Sequence, residues 1–143
     1  MSNFNLDIEK QLSKLGKDIQ QLVGRVTPFP SEGGDFQPEC DIIENPAQYK
    51  IIVDLPGLDK SQVKISLKNH VLTVSGDREL LLEEGEVLKR SERKQGSFVR
   101  SFALPEQVDT TSISAKFRNG VLHIELSKSG RDQDDDSQDI PIQ

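Results

Sequence analysis

The segment from Ile113 to Leu126 confines this chain to β structure. Ile113, Ala115 and Phe117 alternate with Ser114, Lys116 and Arg118; after Asn119-Gly120, Leu122, Ile124 and Leu126 alternate with Val121, His123 and Glu125. A period of two puts each apolar set on one face of a strand. Asn-Gly fits a two-residue type I′ turn, in which both central residues take positive φ. The segment is therefore a hairpin with one dry face and one wet face. Val63, Ile65 and Leu67, then Asn69-His70, then Leu72 and Val74 repeat the design. His70 stands where Gly120 stands, and His is among the non-glycine residues enriched at positive φ. Two matched hairpins suggest two facing sheets.

Other strands surround them. Cys40 to Glu44 reads as a short strand broken by Asn45-Pro46, Tyr49 to Leu55 as another, and Gln95 to Leu104 as a long one. Several short strands with turn signals and no helical period predict an antiparallel β-sandwich over residues 39–128. An open sandwich has edges, and edges pair with neighbours unless protected. Between the hairpins, Asp77 to Lys94 is too long for a simple turn and mostly charged, yet it carries Leu80, Leu81, Leu82, Val87 and Leu88. A loop of this length is either functional or disordered. Along the long strand, alternation puts Arg100 on the face of Phe98, Phe102 and Leu104, where a charge must be paired or reach water.

The flanks differ in character. Ile8, Leu12, Leu15, Ile19, Leu22 and Val26 recur at spacings of four and three, which predicts an amphipathic helix within Met1 to Val26. Asn5 can cap it, and Asp7 and Glu9 suit its first turn. Its stripe either docks on the chain's own domain or serves assembly and client contact; the second is preferred because the domain can close its own core. Thr27 to Pro38 lacks periodicity and reads as a linker, whose Phe29 and Phe36 either pack on the domain or act as adhesive points. Residues 1–38 thus form an N-terminal arm. Residues 129–143 form a solvated, acidic and flexible C-terminal extension that ends in Ile140-Pro141-Ile142. The proline stiffens the tripeptide, so it loses less entropy on docking. From Leu126 to Ile140 the chain can span at most roughly 45 Å, enough to reach a neighbouring subunit.

Four of these segments resemble one family. Ala115-x-x-x-Asn119-Gly120-Val121-Leu122 is similar to the signature near the end of the alpha-crystallin domain of small heat-shock proteins. Val53-Asp54-Leu55-Pro56-Gly57 resembles the family's turn after an early strand, and Glu92 to Pro105 resembles its longest strand in the bacterial and plant form. Ile140-Pro141-Ile142 resembles its I-x-I anchor. The resemblance runs from about Pro38 to Gln143. It implies an immunoglobulin-like antiparallel β-sandwich and a chaperone that holds partly unfolded client proteins without ATP. It further implies a loop that reaches a partner subunit and adds a short strand there, at Glu86, Val87, Leu88, Lys89 and Arg90, making a strand-exchanged dimer. Arg100 would occupy the family's arginine position in the dimer-forming strand and pair with an acidic residue. Val63, Ile65 and Leu67 on one side, and Ile113, Ala115 and Phe117 on the other, would form the groove for the anchor residues Ile140, Pro141 and Ile142, linking dimers into larger oligomers. Client-contact candidates are Phe4, Ile8, Leu12, Leu15, Ile19, Leu22, Phe29 and Phe36.

Composition excludes other classes. A net charge of -6 argues against nucleic acid, which needs clustered cations. The basic cluster Lys89, Arg90, Arg93 and Lys94 lies beside Glu83, Glu84, Glu86 and Glu92, acids that would repel phosphate. Cys40 is the only cysteine, which rules out an internal disulfide and suits a reducing compartment. No apolar run approaches the ~18 to 20 residues of a membrane span, and Asp7 and Glu9 stand where a signal peptide would be basic. The expectation is a soluble, cytoplasmic protein with no obligatory membrane contact. No cofactor or metal is expected, because Cys40, His70 and His123 are not grouped in sequence. Gly57 to Ser61 lacks the glycines of a phosphate loop, so no enzyme is expected. Two rivals stay open: a sandwich-type co-chaperone or adaptor for one folded partner, and a membrane-stabilising peripheral protein using the N-terminal helix, whose mixed polar face matches anionic lipid weakly.

Overall fold

A computed structural model describes residues 25–30, 33–128 and 138–143. Its strands are β1 (Thr27–Pro28), β2 (Cys40–Glu44), β3 (Gln48–Asp54), β4 (Val63–Lys68), β5 (Val71–Arg78), β6 (Gly96–Ala103), β7 (Ser114–Arg118), β8 (Val121–Ser127) and β9 (Gln138–Ile140). They form two sheets, one in the order β1-β6-β5-β4-β9 and the other in the order β2-β3-β8-β7. All the strand pairings are antiparallel.

Both expected hairpins are present, and their turns have the conformation their residues suit. Asn69 and His70 have φ of 53° and 59°, and Asn119 and Gly120 have φ of 54° and 75°. The apolar faces meet between the sheets, where Ile51, Val53, Ile65, Leu67, Leu72, Val74, Phe98, Phe102, Leu122, Ile124 and Leu126 make one buried cluster. Gly76 on β5 permits a close approach: a Cβ there would stand 2.6 Å from both the Gln62 carbonyl oxygen and the Phe98 ring.

The segment after Gly57, which lacks the glycines of a phosphate loop, is a capped turn. Asp59 caps a 3-10 turn (Lys60–Gln62): its carboxylate accepts from the Ser61 N–H at 2.9 Å and from the Ser61 hydroxyl. The Gln62 side chain accepts from the Asp59 N–H at 2.9 Å. These bonds to the ionised form hold the Asp59 pKa below its ordinary value.

The linker reading of residues 27–38 needs correction. Thr27 and Pro28 pair with Ala103 and Phe102 as the outer strand β1, a place that tolerates proline because no ladder donor is needed there. The Phe29 N–H donates to the Ser101 carbonyl at 2.9 Å, and the ring is buried with Val71 and Ala103. Phe36 bridges to Phe98, with ring centroids 5.5 Å apart. Val26 and Ile140 both enter the main core, so the packed unit reaches past 39–128 at both ends.

Candidate functional site

The tail and its seat come together on one side of the sandwich. Ile140 pairs with Ile65, Asp139 with Ser66 and Gln138 with Leu67, which makes β9 the outer strand beside β4. Two residues later the chain crosses to the opposite sheet. Ile142 bridges Ala115 in parallel fashion, the Gln143 N–H donates to the Ala115 carbonyl at 2.8 Å, and the Phe117 N–H donates to the Gln143 carbonyl at 2.8 Å. Pro141 sits between the two ladders, where a missing N–H costs no bond. Ile140 is 5% exposed, and Ile142, Ile113 and Phe117 pack partly buried against the core that holds Val63, Ile65, Leu67 and Ala115. The structure thus brings the tail against Ile65 and Leu67 on β4 and Ala115 and Phe117 on β7, with Val63 and Ile113 in or against the same core. It does so within a single chain, where the sequence reading had the anchor reaching a neighbour.

The opposite side is open. Among the described residues β2 is the outer strand of its sheet and pairs only with β3. The Asp54 N–H donates to the Glu39 carbonyl and the Asn45 N–H to the Gln48 carbonyl. Alternation along the antiparallel ladder puts Asp41 and Ile43 in that bonded set and turns the N–H and C=O groups of Cys40, Ile42 and Glu44 outward.

A fold of this kind with this docked tail has relatives. Residues 41–143 match the Hsp20/alpha crystallin family. The chain belongs to that family. Small heat shock protein C2 of Rickettsia felis is 39% identical over 92 residues, covering 64% of this chain and 60% of that protein. The 17.6 kDa class II heat shock protein of Arabidopsis thaliana is 41% identical over 92 residues, covering 62% and 59%. The chain therefore spans about three fifths of the length of these two relatives. A small heat-shock protein from Xylella fastidiosa, whose crystal structure is described as revealing a distinct high order structure, superposes with a TM-score of 0.63 at 34% identity, over 70% of this chain and 93% of that one. The hspA of Xanthomonas axonopodis superposes with a TM-score of 0.59 at 39% identity, over 65% and 94%.

In this alpha-crystallin domain Arg100 lies on the face the alternation predicts, but its partner is not a carboxylate among the described residues. Its Nη2 donates to Cys40 Sγ at 2.9 Å, its guanidinium carbon lies 5.6 Å from the centre of the Phe102 ring, and its Nε is buried without a hydrogen bond. The contact joins β6 of one sheet to β2 of the other, a proximity that strand patterning cannot reveal. Burial pushes the Cys40 pKa up, and the charge and hydrogen bond of Arg100 oppose it without reversing it.

The loop from Glu79 to Gln95 contains no strand in the single chain, so Glu86 to Arg90 is irregular backbone. It folds at a turn closed by the Glu86 N–H donating to the Glu83 carbonyl at 3.0 Å. Its apolar side chains face water: Leu81 is 81% exposed and Val87 71%, with Leu80, Leu82 and Leu88 also exposed. Arg78 ties its neck, donating from Nε and Nη2 to the Lys94 carbonyl at 3.1 and 2.8 Å and from Nη1 to the Pro56 carbonyl at 3.0 Å. The same guanidinium stacks 4.6 Å from the Phe36 ring centre. Burial, and then the nearby Arg93 charge, lower the Arg78 pKa.

The remaining candidates divide. Phe29 and Phe36 are packed on the domain, so neither is a free adhesive point in this conformation. Phe4, Ile8, Leu12, Leu15, Ile19 and Leu22, with the helix they were to form, lie outside the described residues. Among the described residues no group of three His, Cys, Asp or Glu could hold a metal ion, and no helix is long and apolar enough to cross a membrane. Sequence reasoning missed the Asp59 cap, whose Asp-x-x-Gln spacing was a readable signal. It also missed Arg78, whose three partners are distant in sequence.

Proposed function

We propose that this chain is an ATP-independent holding chaperone that binds partly unfolded proteins through edges and apolar surfaces of its sandwich and keeps them from aggregating. The observation that carries the reading is the pairing of the tail with β4 and β7. Among the described residues, two outer strands and their apolar faces are covered there only by a short extended segment. A site that holds an extended β-branched segment by main-chain bonds and apolar contact can also hold a similar segment of another chain. Binding unfolded chains in preference to native ones removes them from the aggregating pool by mass action, with no nucleotide step. Membership of the small heat-shock family supports the same reading.

Assembly follows from the same surfaces. The outward main-chain groups of β2 and the exposed loop around Val87 are complementary in kind, an unpaired edge and an unpaired extended segment. In this reading Glu86 to Arg90 of one copy adds to β2 of a second, and tails exchanged between dimers build larger particles. The test is light scattering from a heat-labile enzyme warmed with an equal number of subunits of this protein, without nucleotide. Scattering falls and the client stays in soluble complexes. Undiminished aggregation across several clients and temperatures would overturn the holding function and favour a dedicated adaptor.

A further inference from the structure

The docked tail alternates strictly: Gln138, Ile140 and Ile142 face the domain, while Asp139, Pro141 and Gln143 are exposed. Ile140 and Ile142 account for two of the three inward positions. Gln138 fills the third, and its Nε2 donates to the Thr110 carbonyl at 2.8 Å. Thr110 is 2% exposed and belongs to a turn that is itself firmly held. Val108 bridges Lys128, the Asp109 N–H donates to the Ser127 carbonyl at 2.7 Å, and the Ser112 N–H donates to the Asp109 carbonyl at 3.1 Å. The Asp109 carboxylate accepts from the Thr111 N–H at 3.0 Å and from its hydroxyl at 2.6 Å. The turn that carries the receiving carbonyl is thus held by bonds that do not involve the tail.

We propose that the seat reads three side chains of the tail, Gln138-x-Ile140-x-Ile142, and that Gln138 is the residue that sets its register and direction. This rests on the reading of the β4 and β7 faces as the tail's docking site. Isoleucine, proline and isoleucine read the same in either direction, so the apolar pair alone carries little directional information. A slip of two residues keeps every side chain on its proper face and puts Ile142 opposite Ile65 and Ile140 opposite Leu67, an apolar match on β4, though it gives up the bonds of Gln143 and the bridge of Ile142 on β7. That slip places Ile140 at the position of Gln138 and takes the amide donor away from the buried Thr110 carbonyl. Reversal removes it in the same way. An unsatisfied buried acceptor is more costly than the bond is favourable, so the Gln138 amide, outside the tripeptide, adds to the β7 contacts of Ile142 and Gln143 in holding one register and one direction.

The test uses the full-length chain carrying Ile140→Ala and Ile142→Ala as receptor, so that its own tail competes weakly. The probe is a labelled peptide with the sequence of residues 138–143, followed by fluorescence polarisation. The unaltered peptide binds, and its Ile140→Ala, Ile142→Ala form does not. Gln138→Met, similar in length but without a donor, binds about three- to tenfold more weakly. Gln138→Glu binds more weakly still, because two acceptors then face each other. A photo-crosslinking group on the peptide's amino end marks one site near Thr110 for the unaltered peptide and scatters along β4 and β7 for Gln138→Met. Equal affinity and one crosslink pattern for all three Gln138 forms would remove the role of Gln138 while leaving the docking site intact. Equal behaviour of the unaltered and the double-alanine peptides would remove the docking site, and the inference with it.

Discussion

On one side of the sandwich the outer strands β4 and β7 are both engaged, β4 by the antiparallel strand β9 and β7 by Ile142 and Gln143. On the other side β2 turns the main chain of Cys40, Ile42 and Glu44 to solvent, and the loop tied by Arg78 leaves Val87 and Leu81 exposed. The two sides share one fold and one liability, an edge that accepts strands. They differ in where the cover comes from. The first carries a matching segment of its own chain, with apolar side chains to hold it. The second has, among the described residues, no such segment, and the apolar side chains of the loop are exposed. A covered edge must be uncovered before it can bind, whereas an open edge needs no such step.

Replacing Ile140 and Ile142 by Ala should remove most of this asymmetry. Ile→Ala at a buried site costs about 2 to 5 kcal/mol, against which a two-ladder contact of a few bonds has little reserve. Hydrogen exchange should accelerate at Ile65 to Leu67 and Ala115 to Phe117, and in the proposed assembly particle mass should fall to that of dimers. Unchanged mass would refute the linking role of the tail.

Val87→Asp acts on the other side. The residue is exposed, so protomer stability should change by less than about 0.5 kcal/mol. If the loop seats on β2 of a second copy, the buried charge should weaken the dimer about tenfold or more, read by sedimentation at several concentrations. A dimer of unchanged affinity would place the contact elsewhere.

Arg78→Ala should have the smallest effect, about 1 kcal/mol, because the guanidinium is partly solvated. Its signature is local: faster exchange through Glu79 to Gln95 and around Phe36, with the core unaffected. Arg78→Lys should resemble Ala, since an ammonium cannot reproduce the fork that meets Lys94 and Pro56 together. Protection equal to that of the unaltered chain would mean that strand pairing alone holds the neck.

Much of this was legible in residue order. The hairpins were readable because their apolar residues keep a period of two through Asn69-His70 and Asn119-Gly120. The anchor tripeptide could be set beside its seat because the resemblance supplied the pairing. The strand at Thr27–Pro28 was not legible, since two residues carry no period and become a strand only where β6 offers an edge. Nor was the contact of Arg100 with Cys40: alternation says which face a residue takes, not which strand of the opposite sheet it meets. Gln138 was half legible. Its spacing from Ile140 placed it on the inward side, but only the folded turn at Thr110 gives its amide a partner.

In the proposed assembly, the cis-docked tail makes particle growth a matter of competing concentrations. Nine residues separate Lys128 from Gln138, a tether short enough to present the tail to its own seat at an effective concentration of order mM. A free tail in dilute solution cannot rival that. A tail from a neighbouring subunit can, once other contacts have raised its local concentration to the same range. Growth of a particle would then be self-reinforcing above a threshold, and dilution below it would return each tail to its own domain.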